Sequence, residues 1–196
     1  EQALRVFEKL NENETLDELT RLEIKYKIGT VYHNMGEFEK SIPCFIEALR
    51  QMGNSLPEKK VSLIMALILN IAIQILFTIG LKKLLPKKES KFILLKVRIL
   101  NKLTYSLYFS DMFLCFLAHL KALNKADLLI NCFEKAEAYS IHQVPVYQVF
   151  FKKRSFAYLK KACKISEFIH RQDVLAFTQS FGGAVYYYNA KWKKSE

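Results

Sequence analysis

Apolar residues return every three or four positions along most of this chain, the spacing of helices that bury one face. Ala3, Phe7 and Leu10 hold that spacing up to a polar loop at Asn11-Glu12-Asn13-Glu14. Thr15-x-x-Glu18 then has the form of a capping box, in which hydroxyl and carboxylate satisfy each other's orphan amides, and it predicts a helix running to about Met35. Gly36 is the expected stop, because a helix end takes a left-handed residue and glycine has no Cβ to oppose it. A second helix is predicted from Phe38 to about Met52, with Pro43 near enough to its start to cost one bond at most and to bend the first turn. Gly53-Asn54-Ser55-Leu56-Pro57 closes the pair. Further helices are predicted over about 61–81, 91–109, 111–125, 129–149 and 152–170, and a last one from near Asp173. Ser110-Asp111 reads as a turn or N-cap, and Pro145 as a kink or an end. Six glycines and four prolines in 196 residues supply too little turn chemistry for an all-β chain, so the expected class is all-α.

One stretch says more than "helix". Ile28, Gly29, Tyr32, Gly36, Phe38, Ser41, Phe45 and Ala48 put small residues at offsets where two helices approach closely and large apolar residues where gaps need filling. The pattern resembles the tetratricopeptide (TPR) repeat, a unit of ~34 residues built from two helices. Ser41 stands where an alanine is usual and keeps the volume small. The spacing returns as Gly183, Tyr186, Ala190 and Trp192, with Ala190 in the place of Gly36 and Trp192 in that of Phe38. The expected architecture is a TPR-like α-solenoid of antiparallel helix pairs over residues 1–196. It is regular over 1–57, has an apolar linker helix within 58–90, and continues as divergent helical repeats over 91–196. A chain that opens inside one repeat and closes inside another is expected to be an excerpt of a longer solenoid. By the resemblance, Glu23, Tyr26, Thr30, His33 and Asn34 would line a concave partner-binding surface in the first repeat. Phe177, Ser180, Ala184, Tyr187 and Tyr188 would do so in the last, with Gly29 and Gly183 at tight inter-helix crossings.

The segment from Val61 to Leu81 carries no charge and is flanked by Lys59-Lys60 and Lys82-Lys83. A membrane span needs ~20 apolar residues, and this segment qualifies. Lysines at both ends leave its orientation undecided, since the positive-inside rule works by asymmetry. Ser62, Ala66, Asn70, Gln74 and Thr78 fall four apart and form one slowly winding stripe, suited to packing on another helix in lipid or in a solenoid core. The preferred expectation is a buried soluble helix, with a membrane span as the alternative.

The second half carries a further likeness. Leu100-Asn101-Lys102-Leu103-Thr104-Tyr105-Ser106-Leu107-Tyr108-Phe109-Ser110-Asp111, followed by Cys115 to Asn124 with His119-Leu120, resembles a helical region of large bacterial signalling proteins. In those, an AAA-like or STAND-type ATPase is joined to a protein kinase, a histidine kinase or a nucleotide cyclase. Gln74, Phe77, Thr78, Leu85 and Pro86 are similar to the helix preceding that signature. The resemblance implies a regulatory scaffold without catalytic residues of its own, and it favours the soluble reading of the apolar helix.

Candidate chemistry is sparse. His33, His119, His142 and His170 stand apart with no ligand spacing, so packing or surface roles are expected, with no metal and no cofactor. Cys44, Cys115, Cys132 and Cys163 lack a C-x-x-C pair and read as reduced, buried thiols of a cytosolic protein. Gly182-Gly183 lacks the strand–loop–helix context of a phosphate cradle. Thirty basic against 19 acidic residues give a net charge of +11, spread as lysine pairs over most helices, with a cluster from Lys82 to Lys88 that suits an acidic lipid surface. Three readings follow. The preferred one is a cytoplasmic, non-enzymatic protein-interaction segment, binding a peptide or neighbouring domains of its own polypeptide. The others are a membrane-anchored TPR adaptor using 61–81, and a basic helical repeat that binds nucleic acid.

Overall fold

The computed structural model describes residues 2–11, 15–86, 90–148 and 151–189, and the chain is all-α. Nine α-helices occur among the described residues: α1 (Gln2–Asn11), α2 (Glu18–Asn34), α3 (Phe38–Gln51), α4 (Lys60–Thr78), α5 (Lys91–Leu107), α6 (Met112–Ala126), α7 (Phe133–Gln148), α8 (Lys152–Phe168) and α9 (Gln172–Tyr188). A short 3-10 helix, Leu81–Leu84, follows α4. Ala190 and Trp192, with which the second copy of the repeat pattern was to close, lie outside the described residues.

Local chemistry sets the boundaries. The N-cap of α2 is Asp17, not Thr15. Its carboxylate accepts the Thr20 amide at 3.0 Å and the Thr20 hydroxyl at 2.5 Å, which a capping box built on Thr15 would leave unexplained. At the other end Gly36, at φ +78°, donates to the His33 carbonyl, and Glu37 donates to the Tyr32 carbonyl. These two bonds satisfy carbonyls that the helix leaves open, the double closure of a Schellman end. Asp111 caps α6 by accepting the Leu114 amide at 2.9 Å. Helix α7 starts at Phe133, later than the apolar spacing predicts, because Leu129 is spent filling a buried cluster with Val97, Ala126 and Ala138 as part of a loop. Pro145 neither ends nor removes α7, which runs on to Gln148.

The helices pack as successive hairpins: α2 on α3, α5 on α6, α7 on α8. The first helix of each hairpin also touches both helices of the one before. Helix α5 rests on α2 and α3, α7 on α5 and α6, and α9 on α7 and α8, while α1 lies against α2. The largest apolar cluster joins α2, α3, α5 and α6 through Leu22, Phe45, Leu49, Leu95, Leu103 and Ala118. A second joins α6, α7, α8 and α9 through Leu123, Ala136, Tyr139, Tyr158, Ile165 and Val174. In the first hairpin Ile28, Phe45, Ala48 and Ser41 are buried; the Ser41 hydroxyl donates to the Phe38 carbonyl and to Ser106 of α5. A tight crossing of α9 is made at Gly182, next to the expected Gly183. A Cβ on Gly182 would meet Leu159 at 2.9 Å, whereas Gly183 is half-buried beside a groove.

Helix α4 departs from expectation most. By length and composition it can cross a membrane, with mean hydropathy 2.3, yet only 17% of that stretch is buried. It is not a buried core helix. It lies on α6, with Arg154 and Tyr158 of α8 reaching its polar stripe, so that Asn70 and Gln74 are buried while Ile64, Ile68, Leu69, Ile75 and Ile79 are exposed. The stripe was chosen by its polar partners, not by apolar neighbours. Gly80 at φ +110° then ends the helix ahead of the 3-10 turn.

The Gly29 crossing gives a test. A Cβ there would sit 2.6 Å from Phe45 Cε1 and 2.9 Å from Cδ1, and Phe45 is fully buried. Alanine gains about 1 kcal/mol of helix propensity, but overpacking a core ring costs about 1–3 kcal/mol. Gly29→Ala is therefore expected to lower the urea midpoint, through a net loss of up to about 2 kcal/mol of stability. An unchanged midpoint would mean that the ring turns aside freely.

Candidate functional site

Side chains from α2, α5 and α9 meet along one side of the hairpins. His33 packs against Phe38 (ring centroids 5.5 Å) and Tyr105 (6.3 Å); Tyr105 reaches Phe181 (6.4 Å), and Phe181 reaches Phe177 (5.0 Å). The His33 Nδ1 lies 2.9 Å from the Ser106 hydroxyl, which fixes the ring against α5. Burial holds the His33 pKa below its ordinary value, with Lys102 pushing the same way. The row thus joins the first hairpin to the last described helix.

Beneath this row lies a cavity of about 420 Å³, bounded by Tyr105 and Tyr108 of α5, Met112, Phe116 and His119 of α6, Ile141, Val144 and Pro145 of α7, and Ser180, Phe181 and Ala184 of α9. Proline at 145 has no amide to offer the Ile141 carbonyl, a bond that α7 forgoes at the cavity wall. Two of the lining residues carry a buried polar atom with no protein partner, the Tyr105 hydroxyl and His119 Nδ1. Burial raises the Tyr105 pKa strongly, so the phenol stays protonated. A mostly apolar recess with a few polar groups is the usual form of a site that takes an apolar anchor.

His119 continues inward to a second histidine. Its Nε2 lies 2.7 Å from His142 Nδ1, the rings stacked with centroids 5.0 Å apart, and the edge of Tyr158 closes on His142 at 4.5 Å. So close a nitrogen pair needs one N–H and one lone pair, which two imidazolium rings cannot provide. Burial lowers the His119 pKa to about 4, and burial together with His119, Arg154 and Lys161 lowers that of His142 well below its ordinary value. The pair is neutral at neutral pH. Sequence spacing gave no hint of it, because the two residues sit on different helices and meet only through the α6–α7 packing.

The predicted concave residues divide. His33, Phe177, Ser180 and Ala184 lie on or beside the aromatic row and cavity. Tyr26 is packed into the first core cluster, and Thr30 spends its hydroxyl on the Tyr26 carbonyl at 2.8 Å. Glu23 is half-buried and Asn34 is exposed at the end of α2. Tyr187 does not face the cavity; with Gly183 and Tyr186 it lines a groove of about 1140 Å³ between α8 and α9, where Tyr188 stacks on Tyr147. Tyr32 reaches back to Glu8 of α1 at 3.3 Å. Sequence reasoning missed Tyr105 and Phe181, although the four-residue spacing of Phe177 and Phe181 was visible. The four cysteines are free; Cys115 is buried and the other three are half-buried. Among the described residues no group of three or more His, Cys, Asp or Glu side chains is placed to hold a metal ion.

No family model matches the chain, and no curated protein and no solved structure matches it.

The histidine pair makes stability depend on pH with a definite sign. Between about pH 6.5 and pH 4 the unfolded chain takes up protons that the folded rings refuse, so stability falls as pH falls. Glu137 acts the other way: burial raises its pKa, so it favours the folded state as pH falls and loses that contribution as pH rises. Urea denaturation stepped from pH 7 to pH 4 should show a His119-linked loss approaching about 3 kcal/mol. The double substitution His119→Leu with His142→Leu removes both rings and should flatten that slope, whatever it does to absolute stability. A slope unchanged in the double variant would contradict the assignment.

Proposed function

We propose that this chain is a TPR-like interaction module that captures an apolar or aromatic anchor of a protein partner at the cavity between α5, α6, α7 and α9. What supports the reading is the row from His33 through Tyr105 to Phe181, which ends at a recess lined by apolar side chains and lies on the side built from the first helices of successive hairpins. Stacked repeats of this type gain a continuous inner surface because each first helix is shared with the preceding pair. The partner is a peptide segment or a neighbouring domain of the same polypeptide, and the role is non-enzymatic.

We further infer, from the likeness at residues 100–124, that the segment belongs to a cytoplasmic signalling ATPase. There it couples effector capture to a kinase or cyclase output. His119 of that signature is buried against His142, so on this reading it serves the packing of α6 on α7 and turns its other ring nitrogen to the cavity. A nucleic-acid role draws less support, because the aromatic row carries few cations beside it.

A display selection from random peptides tests the reading without knowledge of the natural partner. The chain should enrich sequences that carry an aromatic or aliphatic anchor. Ala184→Trp, which fills the recess from its rim, should weaken them at least about tenfold, roughly 1.4 kcal/mol. Its thermal midpoint should stay close to that of the parent. Equal binding by the filled variant would sink the proposal.

A further inference from the structure

Helix α4 is built inside out. Its small and polar stripe holds it to the protein through hydrogen bonds, and its large aliphatic side chains face away. Asn124 of α6 donates to the Asn70 side chain (2.9 Å) and carbonyl (3.2 Å), and accepts from Gln74 at 2.6 Å. Gln74 also donates to Asp127 (3.2 Å) and accepts from Tyr158 and Arg154 of α8, both at 3.2 Å; Arg154 donates as well to Thr78 at 2.7 Å. Asp127 accepts from Lys82 at 2.9 Å and from Tyr139 at 2.6 Å. Outward, Ile64, Ile68, Ile71, Ile75 and Ile79 follow one another at helical spacing, flanked by Leu69, and Leu81 and Leu84 extend the exposed apolar surface past Gly80. Ile68 is 56% and Ile75 55% exposed. Nineteen residues make a helix about 28 Å long.

The exposed charge around this face is predominantly basic, although Glu58 is exposed beside Lys59 and Lys82 is paired with the buried Asp127. Lys59 and Lys60 are exposed at its start; Lys82, Arg154 and Lys161 stand at its end, with Lys161 exposed. Helices α4 and α6 contain no carboxylate, and α8 contains Glu167 alone, near its far end. A contiguous apolar surface rimmed by lysine has three possible covers: a second copy, another protein, or a lipid surface. Pairing α4 with its own copy, parallel or antiparallel, sets lysines against lysines at both ends, on a chain of net charge +11. An anionic lipid surface instead neutralises the rim while its acyl boundary takes the isoleucines.

We propose that α4 attaches the protein to an anionic lipid surface, lying in the membrane plane with its isoleucine face in the acyl boundary and its lysine ends at the headgroups. It does not span. Surrounding α4 with hydrocarbon would strip Asn70 and Gln74 of their partners and leave the Asp127 carboxylate without Gln74 and Lys82. The inference goes beyond capture at the inner cavity, which lies on other helix faces, and the two fail separately.

Vesicle co-sedimentation of the whole chain tests it. With vesicles of phosphatidylcholine containing about 30 mol % phosphatidylserine the protein should pellet, and pure phosphatidylcholine should reduce the partition coefficient at least about tenfold. Raising NaCl from about 0.1 M to about 0.5 M should release part of the bound protein, since surface charges are then screened. The substitution pair Ile68→Glu and Ile75→Glu, both at exposed positions, should abolish pelleting while leaving the thermal midpoint and the capture of selected peptides unchanged. Lys59→Gln with Lys60→Gln should weaken binding to the anionic vesicles and leave the residual binding to phosphatidylcholine as it was. The proposal is overturned by any of three results. These are no pelleting with anionic vesicles, resistance to carbonate extraction (which marks a span), or a dimer dissolved by Ile68→Glu and Ile75→Glu that binds no vesicles, which marks a second copy as the cover.

Discussion

A pair of helices cannot bury all the apolar faces it carries, and the architecture follows from how each pair borrows a third helix. Helix α5 closes the α2–α3 hairpin, α7 closes α5–α6, and α9 closes α7–α8. For α5 and α7 the closing helix is also the first member of the next hairpin, so these pairs complete their predecessors. Helix α7 bears the consequence most plainly. It is buried along nearly its whole length and accommodates Glu134, Lys135 and Glu137 only because each has a partner: Arg98, the Leu129 carbonyl and Asn101 in turn. The cavity sits where α5, α6, α7 and α9 fail to close completely around the Pro145 end of this helix.

Two faces of the molecule solve the solvent problem in opposite ways. On the inner side, aromatic rings from separate helices shield one another and leave a recess for something small and apolar. On the outer side, α4 spends its polar groups on the protein and presents its aliphatic groups to whatever lies outside. A soluble helix seldom does this, since exposing so many isoleucines forfeits the solvation gain that drives folding. Hydrogen bonds from Asn124, Arg154 and Tyr158 compensate, because without α4 the buried Asn124 amide would lose Asn70 and Gln74, and Asp127 would lose one of its donors.

Much of this was legible along the chain, and the failures have physical causes. Glycines at 36 and 53 announced two helix ends because each must adopt positive φ, and both do, at +78° and +65°. The end of α8 gave no such notice: His170 takes the left-handed position at φ +52°, donating to the Glu167 carbonyl, and a histidine there looks like any other helical residue. The four-spaced stripe on α4 was legible as a packing face and does pack on α6, but periodicity does not say whether the opposite face is covered. Leu129 reads as helix for the same reason, since apolar character does not distinguish a buried loop from a buried turn of helix. The repeat spacing located the close approach at Gly29 and pointed one residue past the close contact that Gly182 makes with Leu159 on α9. Of the candidate site, His33, Phe177, Ser180 and Ala184 came from the repeat pattern, whereas the His119–His142 contact depends on a crossing that no spacing encodes.

Asp127 ties the outer helix to the inner floor by a short chain of bonds: α4 through Gln74, the 3-10 helix through Lys82, and α7 through Tyr139. A lateral pull on α4 is therefore carried into α7 by polar contacts, which slacken within a fraction of an ångström, and not by interlocking aliphatic groups, which slide. A shift of α4 is thus registered at α7, a wall of the cavity, through one carboxylate that both helices share.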